Sequence, residues 1–211
     1  MTLKFDDLIK FLQASEPTAS GQIGVDLNTG RFRMLIDGSV RSFAHLGDVI
    51  LGSGVSFLGS FTANDATFPS GSPAAATSRN QHPILAFDDT TAESVIFHDV
   101  MSNDYSNGNI TINTDWMAAT ATSGDVTWGV KIERIAPGGT SIDSDSFQTQ
   151  QIAAGTANAS SGVITRTSIV LTQVQADGIM AGDAYRLSLQ CVAPSGTLIG
   201  DAQVLRVSLE Q

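Results

Sequence analysis

Cysteine and positive charge are what this 211-residue chain has least of. Its single cysteine, Cys191, rules out an intramolecular disulfide, so folding does not depend on an oxidising compartment. Lys and Arg number 11 against 21 Asp and Glu, a net charge of −10. The deficit is uneven: residues 1–50 carry five basic and six acidic side chains, the remainder six and fifteen. The body therefore lacks the Lys/Arg stripes that a phosphate backbone requires, and nucleic acid is not an expected partner. No apolar run reaches the 18 or so residues of a spanning helix, so a membrane is not an expected partner either. The N-terminus, Met1-Thr-Leu-Lys-Phe-Asp-Asp7, has no basic segment leading into an apolar one, so cytoplasmic synthesis without export is expected.

Chemical motifs are also scarce. His45, His82 and His98 are isolated and do not follow a His-x-x-x-His spacing. Gly52-Ser-Gly54 is not followed by the residues of a phosphate cradle, and the Gly-x-Ser-x-Gly elbow is missing. Asp143-Ser-Asp145 is the best metal candidate, but it lacks the rest of a calcium loop and reads better as a solvated acidic loop. Asn109-Ile-Thr and Asn158-Ala-Ser match a glycosylation acceptor that only a secreted chain would use. No catalytic, cofactor-binding or metal-binding residue is assigned, no cofactor is expected, and the chain reads as a non-enzyme. A glycan hydrolase would need two carboxylates facing each other across a groove, and distant strands could supply them.

What is present is alternation. In Asn109-Ile-Thr-Ile-Asn-Thr-Asp-Trp116, Ile110, Ile112, Thr114 and Trp116 share one face. In Gly124-Asp-Val-Thr-Trp-Gly-Val-Lys-Ile132, Val126, Trp128, Val130 and Ile132 do so, while Thr127, Gly129 and Lys131 point away. Side chains alternate across a strand, so both segments are strands with one buried side, and both tryptophans read as core rather than as a sugar-stacking platform. The small polar linker Ala119–Gly124 is hairpin or sandwich-edge punctuation. Further strands are expected at Ile84–Phe87, Ser94–Met101, Ile164–Leu171, Ala184–Cys191 and Gln203–Glu210, with the first two extended to Asn109–Met117 and Val126–Ile135. Cys191 falls on the face of Tyr185, Leu187 and Leu189, as a small core residue would. The polar stretch from Gly138-Gly139 to Ala159-Ser160 reads as a surface loop.

Three regions follow. Residues 1–50 form an N-terminal helix and hairpin segment, residues 51–81 a Gly/Ser/Ala/Pro-rich linker or arm, and residues 82–211 a β-sandwich or jelly-roll domain. The fold class is thus all-β behind a short helix and hairpin arm. The helix is expected over residues 3–14, with Leu3, Phe5, Leu8, Ile9, Phe11 and Leu12 apolar and Pro17 ending it. Alone it is marginal, so it docks either on its own body or on a partner. Ile23, Val25 and Leu27, then Phe32, Met34 and Ile36, alternate about Asn28-Thr29-Gly30, and Asp37-Gly38 turns the chain again. Parts of 51–81, dotted with Leu51, Phe57, Leu58 and Phe61, are expected to lie on a protein surface or form a short strand.

The segment Gly21-Gln-Ile-Gly-Val-Asp-Leu-Asn-Thr-Gly-Arg-Phe32, continued by Ile36-Asp-Gly-Ser-Val-Arg41, resembles hairpin units near the N-termini of tailed-bacteriophage fibre and decoration proteins. The stretches Ile84–Phe97, Tyr105–Trp116, Ser123–Val130 and Ile179–Leu187 resemble jelly-roll modules of virion surfaces. The resemblance implies a non-enzymatic homotrimer of the phage particle, located on the virion, with an N-terminal attachment part and a β head. The expected partners are other copies of itself and the major capsid protein or another virion protein. The expected attachment and oligomer contacts are Leu3, Phe5, Leu8, Ile9, Phe11, Leu12, Arg31, Phe32, Arg33, Met34 and Arg41. A capsid decoration (cement) protein is the first reading. A tail-fibre or receptor-binding protein recognising host glycans is the alternative.

Overall fold

The computed structural model describes residues 23–26, 31–36, 39–43, 56–192 and 196–211, the first three of these spans as backbone alone. The chain divides into two compact units, residues 1–54 and 55–211. In the first, β1 (Ile23–Asp26), β2 (Arg31–Ile36) and β3 (Ser39–Phe43) form an antiparallel meander in which Met34 pairs with both Ile23 and Arg41. The alternating residues of 23–43 thus lie in strands. The helix expected over 3–14, with Leu3, Phe5, Leu8, Ile9, Phe11 and Leu12, lies outside the described residues.

The second unit contains ten strands: β4 (Phe57–Phe61), β5 (Ala75–Arg79), β6 (His82–Phe87), β7 (Glu93–Val100), β8 (Ile110–Ala118), β9 (Asp125–Ile135), β10 (Gln151–Thr156), β11 (Thr165–Leu171), β12 (Ala184–Cys191) and β13 (Ala202–Glu210). A four-stranded antiparallel sheet runs β10-β9-β12-β7. A six-stranded one runs β11-β8-β13-β6-β5, with β4 also paired to β13. From β6 to β13 every consecutive pair of strands is divided between the two sheets, except the β9–β10 pair. That order is the jelly-roll arrangement of a β-sandwich. Among the described residues the only helical element is one 3-10 turn, Ala63–Asp65, capped by Thr62 and Asp65.

The two segments with the clearest alternation, β8 and β9, do not pair with each other. They lie in opposite sheets, so the polar 119–124 segment is a sandwich-edge crossing rather than a hairpin. Their inward faces meet in the core. Trp116 and Trp128 are fully buried, with ring centroids 5.9 Å apart at 66°, and Phe87 packs edge-on against Trp128 at 5.1 Å. Such aromatic contacts add about 0.5–1.5 kcal/mol each beyond the burial of area. Trp116 Nε1 donates to Thr167 Oγ1 at 2.9 Å. Cys191 is a core residue, 2% exposed. Burial, and then the charges of Glu93, Asp88 and Asp89, push its thiol up to about 12, far from nucleophilic.

Residues 51–81, expected as a linker or arm with parts on a protein surface or in a short strand, contain two strands from residue 57 onward. β4 pairs with Val207–Glu210 of β13, and β5 pairs with β6. Between them, residues 67–74 bond along the free edge of β7 through Thr67–Ile96 and Ala74–Ser94. Small residues conceal this role, because an edge strand with few apolar side chains has little period-2 signal. β10 is missed for the same reason. Gln151-Ile-Ala-Ala-Gly-Thr156 is small because Ala153 pairs with Trp128, and Gly155 lies where an added Cβ would be 2.0 Å from Thr167 Oγ1 and 3.1 Å from the Trp116 ring.

Two stability outcomes follow. Replacing Trp116 or Trp128 by Ala will cost about 3–5 kcal/mol in denaturant unfolding, as large core truncations do. The β5–β6 hairpin turns on Asn80 and Gln81, both at positive φ (46° and 67°), where the second position favours glycine. Gln81→Gly will therefore raise stability by about 1 kcal/mol in the same measurement.

Candidate functional site

Both sheets turn one face outward, and the scarce cations are concentrated there. On the six-stranded sheet, Asp115 of β8 alternates with the buried Trp116 and so points away from the core. Arg166 Nε of β11 donates to its Oδ1 at 2.7 Å and Arg206 Nη2 of β13 to its Oδ2 at 2.7 Å. The two arginine side chains are 45% exposed. Burial works against the Asp115 charge, but the hydrogen bonds and charges of Arg166 and Arg206 outweigh it and hold the carboxyl below its ordinary value.

The outer face of the four-stranded sheet is covered in part by the 136–150 segment. Glu133, on β9, has a 1% exposed side chain. It accepts from the Ser146 amide at 2.9 Å and the Ser146 hydroxyl at 2.7 Å, and it is paired with Arg186 of β12. Arg186 also donates to Asp145 at 2.7 Å. The Phe147 ring lies 4.8 Å from both Lys131 Nζ and the Arg186 guanidinium carbon. The segment read as a free polar loop is thus fastened to the sheet, and Asp145 of the metal candidate is committed to Arg186. His98, Glu133, Ile135, Thr140, Ile142 and Arg186 line a recess of about 260 Å³ there. Burial, then the Arg186 charge, lowers the His98 pKa. The Glu133 carboxyl, despite burial, is held below its ordinary value by Ser146 and Arg186.

A larger cleft, about 360 Å³, opens on the outer face of the six-stranded sheet. Arg79, Asn80, His82, Met117, Gly162, Ile164 and Leu205 line it. β6 pairs with β13 only at Leu85–Phe87, and the tip of the β5–β6 hairpin reaches across β13 instead of extending the sheet. Arg79 Nη1 donates to the Ala118 and Ala119 carbonyls, each at 3.3 Å, and to Gln203 Oε1 at 2.8 Å. A register shift between Val204 and Arg206 makes Leu205 an extra residue of β13, which joins Met117 in the apolar floor. A bulge of the β8–β13 pairing thus falls at this cleft.

Of the sequence-derived contact residues, Arg31, Phe32, Arg33 and Met34 lie on β2 and Arg41 on β3, with Met34 opposite Arg41. Leu3, Phe5, Leu8, Ile9, Phe11 and Leu12 lie outside the described residues. Sequence reasoning did not find either recess. Each is assembled from segments distant in sequence, and only the isolated His82 and His98 could have pointed to them.

No protein family and no curated protein matches the chain. Solved structures similar to it include the carbohydrate-binding module CBM6cm-2 of Cellvibrio mixtus lichenase 5A in complex with cellotriose. That match has 10% identity, covers 74% of this chain and 98% of that one, and has a TM-score of 0.42. The xylan-binding module CBM15 is 9% identical over 75% of this chain and 97% of its own, at 0.44. An exo-β-1,3-galactanase of Phanerochaete chrysosporium is 11% identical over 84% of this chain and 36% of its own, at 0.43. Likeness at this level carries no argument about ligand or activity. The jelly-roll assignment rests on strand order.

Asp115 and Glu133 set the acid response. Their folded pKa values are depressed, so their contribution to stability is present above the unfolded carboxylate values, about 4, and is lost as pH falls through the lower folded ones. The double variant Asp115→Asn, Glu133→Gln will be less stable at neutral pH and will lose less stability than the parent between about pH 5 and pH 2, followed by denaturant midpoints. Glu133→Gln alone will speed hydrogen exchange at the Ser146 amide.

Proposed function

We propose that this chain is a non-enzymatic structural protein of a tailed-bacteriophage particle, a trimeric capsid decoration (cement) protein. In this reading it binds the shell through residues 1–54, and its jelly roll projects outward. The observation that carries the division of labour is how the second unit uses its charge. Arg134, Arg166, Arg186 and Arg206 are each paired with a carboxylate of the same unit, and Lys131 lies over Phe147. Those arginines are spent internally, and the fifteen acidic groups beyond residue 50 leave an excess that meets another acidic surface at a cost. The near-neutral first unit, with Arg31, Arg33 and Arg41, is the part suited to docking. Three tethered copies would sum weak contacts through effective concentration. Glycan recognition by a tail fibre is the second reading. The outward-facing cleft beside Arg79 favours it, since a recess open on a sheet face suits a small ligand better than a flat protein shell does.

The test is a truncation whose start is set by the fold. A chain beginning at Val55 keeps β4 and β5 and will fold, whereas one beginning at Gln81 loses β4's pairing with β13 and the strand that flanks β6, and will not. The folded head will fail to add back to particles stripped of the full chain, and the full chain will scatter light as three copies. Rebinding by the isolated head, or a stable monomer of the full chain, would overturn the proposal.

A further inference from the structure

We infer that the cleft between the β5–β6 hairpin and the outer face of the six-stranded sheet binds a small organic carboxylate with an apolar body. Among the basic side chains of the second unit, Arg79 alone makes neither an ion pair nor a ring contact. All its bonds are to neutral oxygens through Nη1, which leaves Nη2 and Nε free to donate. Held on three fixed acceptors, the guanidinium is preorganised, so little side-chain freedom is lost when an anion arrives. Nη2 lies beside Gly162, where an added Cβ would be 2.7 Å from it, so a bare backbone position lets the far wall close in. His82, opposite Arg79 in the hairpin register, and Asn80 add polar atoms to the same rim. Below them Met117, Ile164 and Leu205 offer no partner for a polar group. A cation at the rim and an apolar floor select a ligand built the same way.

The surrounding charge supports an anion at this place. The outer face of this sheet carries Arg79, Arg166 and Arg206 against Asp115 and Glu210, an excess of positive charge on a domain that is otherwise strongly acidic. The recess on the opposite sheet has no such capacity, because Arg186 is already occupied by Glu133 and Asp145.

The experiment titrates the full-length protein with hexanoate and with its neutral twin hexanamide, each to about 10 mM, enough to fill a millimolar site, and follows backbone amide resonances. Hexanoate will shift Asn80, His82, Met117, Gly162 and Leu205, and hexanamide will bind at least about tenfold more weakly, as loss of a charge-assisted hydrogen bond requires. Arg79→Gln will weaken hexanoate by a similar factor. Because Arg79 also ties strand ends together, Ile164→Glu provides an independent variant. Its site is 47% exposed and tolerates a polar residue, and the new carboxylate will occupy the cleft and abolish hexanoate binding. Equal shifts from hexanoate and hexanamide, shifts scattered away from the cleft, or undiminished binding to a folded Ile164→Glu protein would overturn the assignment.

Discussion

The contact between Trp116 and Trp128 is the constraint on which the sandwich depends. The two residues lie on consecutive strands, yet the strands lie in opposite sheets, so each indole closes the interior from its own side. Their size dictates what surrounds them. β10 must pass Trp116 without a side chain at Gly155, and Thr167 of β11 must present a hydroxyl to the indole nitrogen. The positions of β10 and β11 nearest the indoles are therefore small or hydroxylic: Ala153, Gly155 and Thr167. A large pair at the centre leaves room only for a thin wall beside it.

The economy of cations organises the outside in a similar way. Four arginines are tied to carboxylates of the same domain, two around Asp115, one with Glu133 and Asp145, and one with Asp183. Partly exposed pairs of this kind contribute modestly to stability, but they fix where long side chains lie, and the Glu133 network fastens a long connection onto a sheet. Among the described residues, other carboxylates form no ion pair of this kind, and several of them lie in loops. Asp88, Asp89 and Asp201 lie near one another, and burial with mutual repulsion raises the Asp201 pKa. The resulting surface has one positively biased sheet face and an acidic loop end.

Seven strands of the second unit were legible in the sequence to within a residue or two at each end, most from large apolar residues at period two and β6 from the continuous apolar run Ile84–Phe87, which is buried on both faces. The burial of both tryptophans and of Cys191 followed from the same pattern. β5 and β10 were not legible, and the reasons are local. β5 is exposed along most of its length, and the period of β10 is muted by Ala153 and Gly155. β4 carries Phe57, Leu58 and Phe61, the residues on which a short strand or surface-lying segment was expected in this Gly- and Ser-rich stretch, but its pairing with β13 had no signal in the sequence. The cleft was hidden for a different reason. It depends on a bulge at Leu205, a hairpin that leaves its sheet, and an arginine whose three acceptors come from β13 and the end of β8. None of these has a signature at fixed sequence spacing.

The pairing of β4 with β13 also sets the polarity of the domain. Ser56 and Gln211 exchange backbone hydrogen bonds at 2.8 Å, so the chain enters the jelly roll beside the point where its last residue leaves it. Anything fused after Gln211 would start beside Ser56. The connections at 88–92, 119–124 and 157–164 emerge from the opposite end of the sheets, far from Ser56 and Gln211. A peptide grafted into one of those connections would be displayed at the end of the jelly roll opposite Ser56 and Gln211. The same geometry exposes the join to peeling. Tension applied to the backbone at Ser56 loads the Ser56–Gln211 bonds first and would then open β4 from β13 pair by pair, so that β4 yields first while the tryptophan-centred core stays closed.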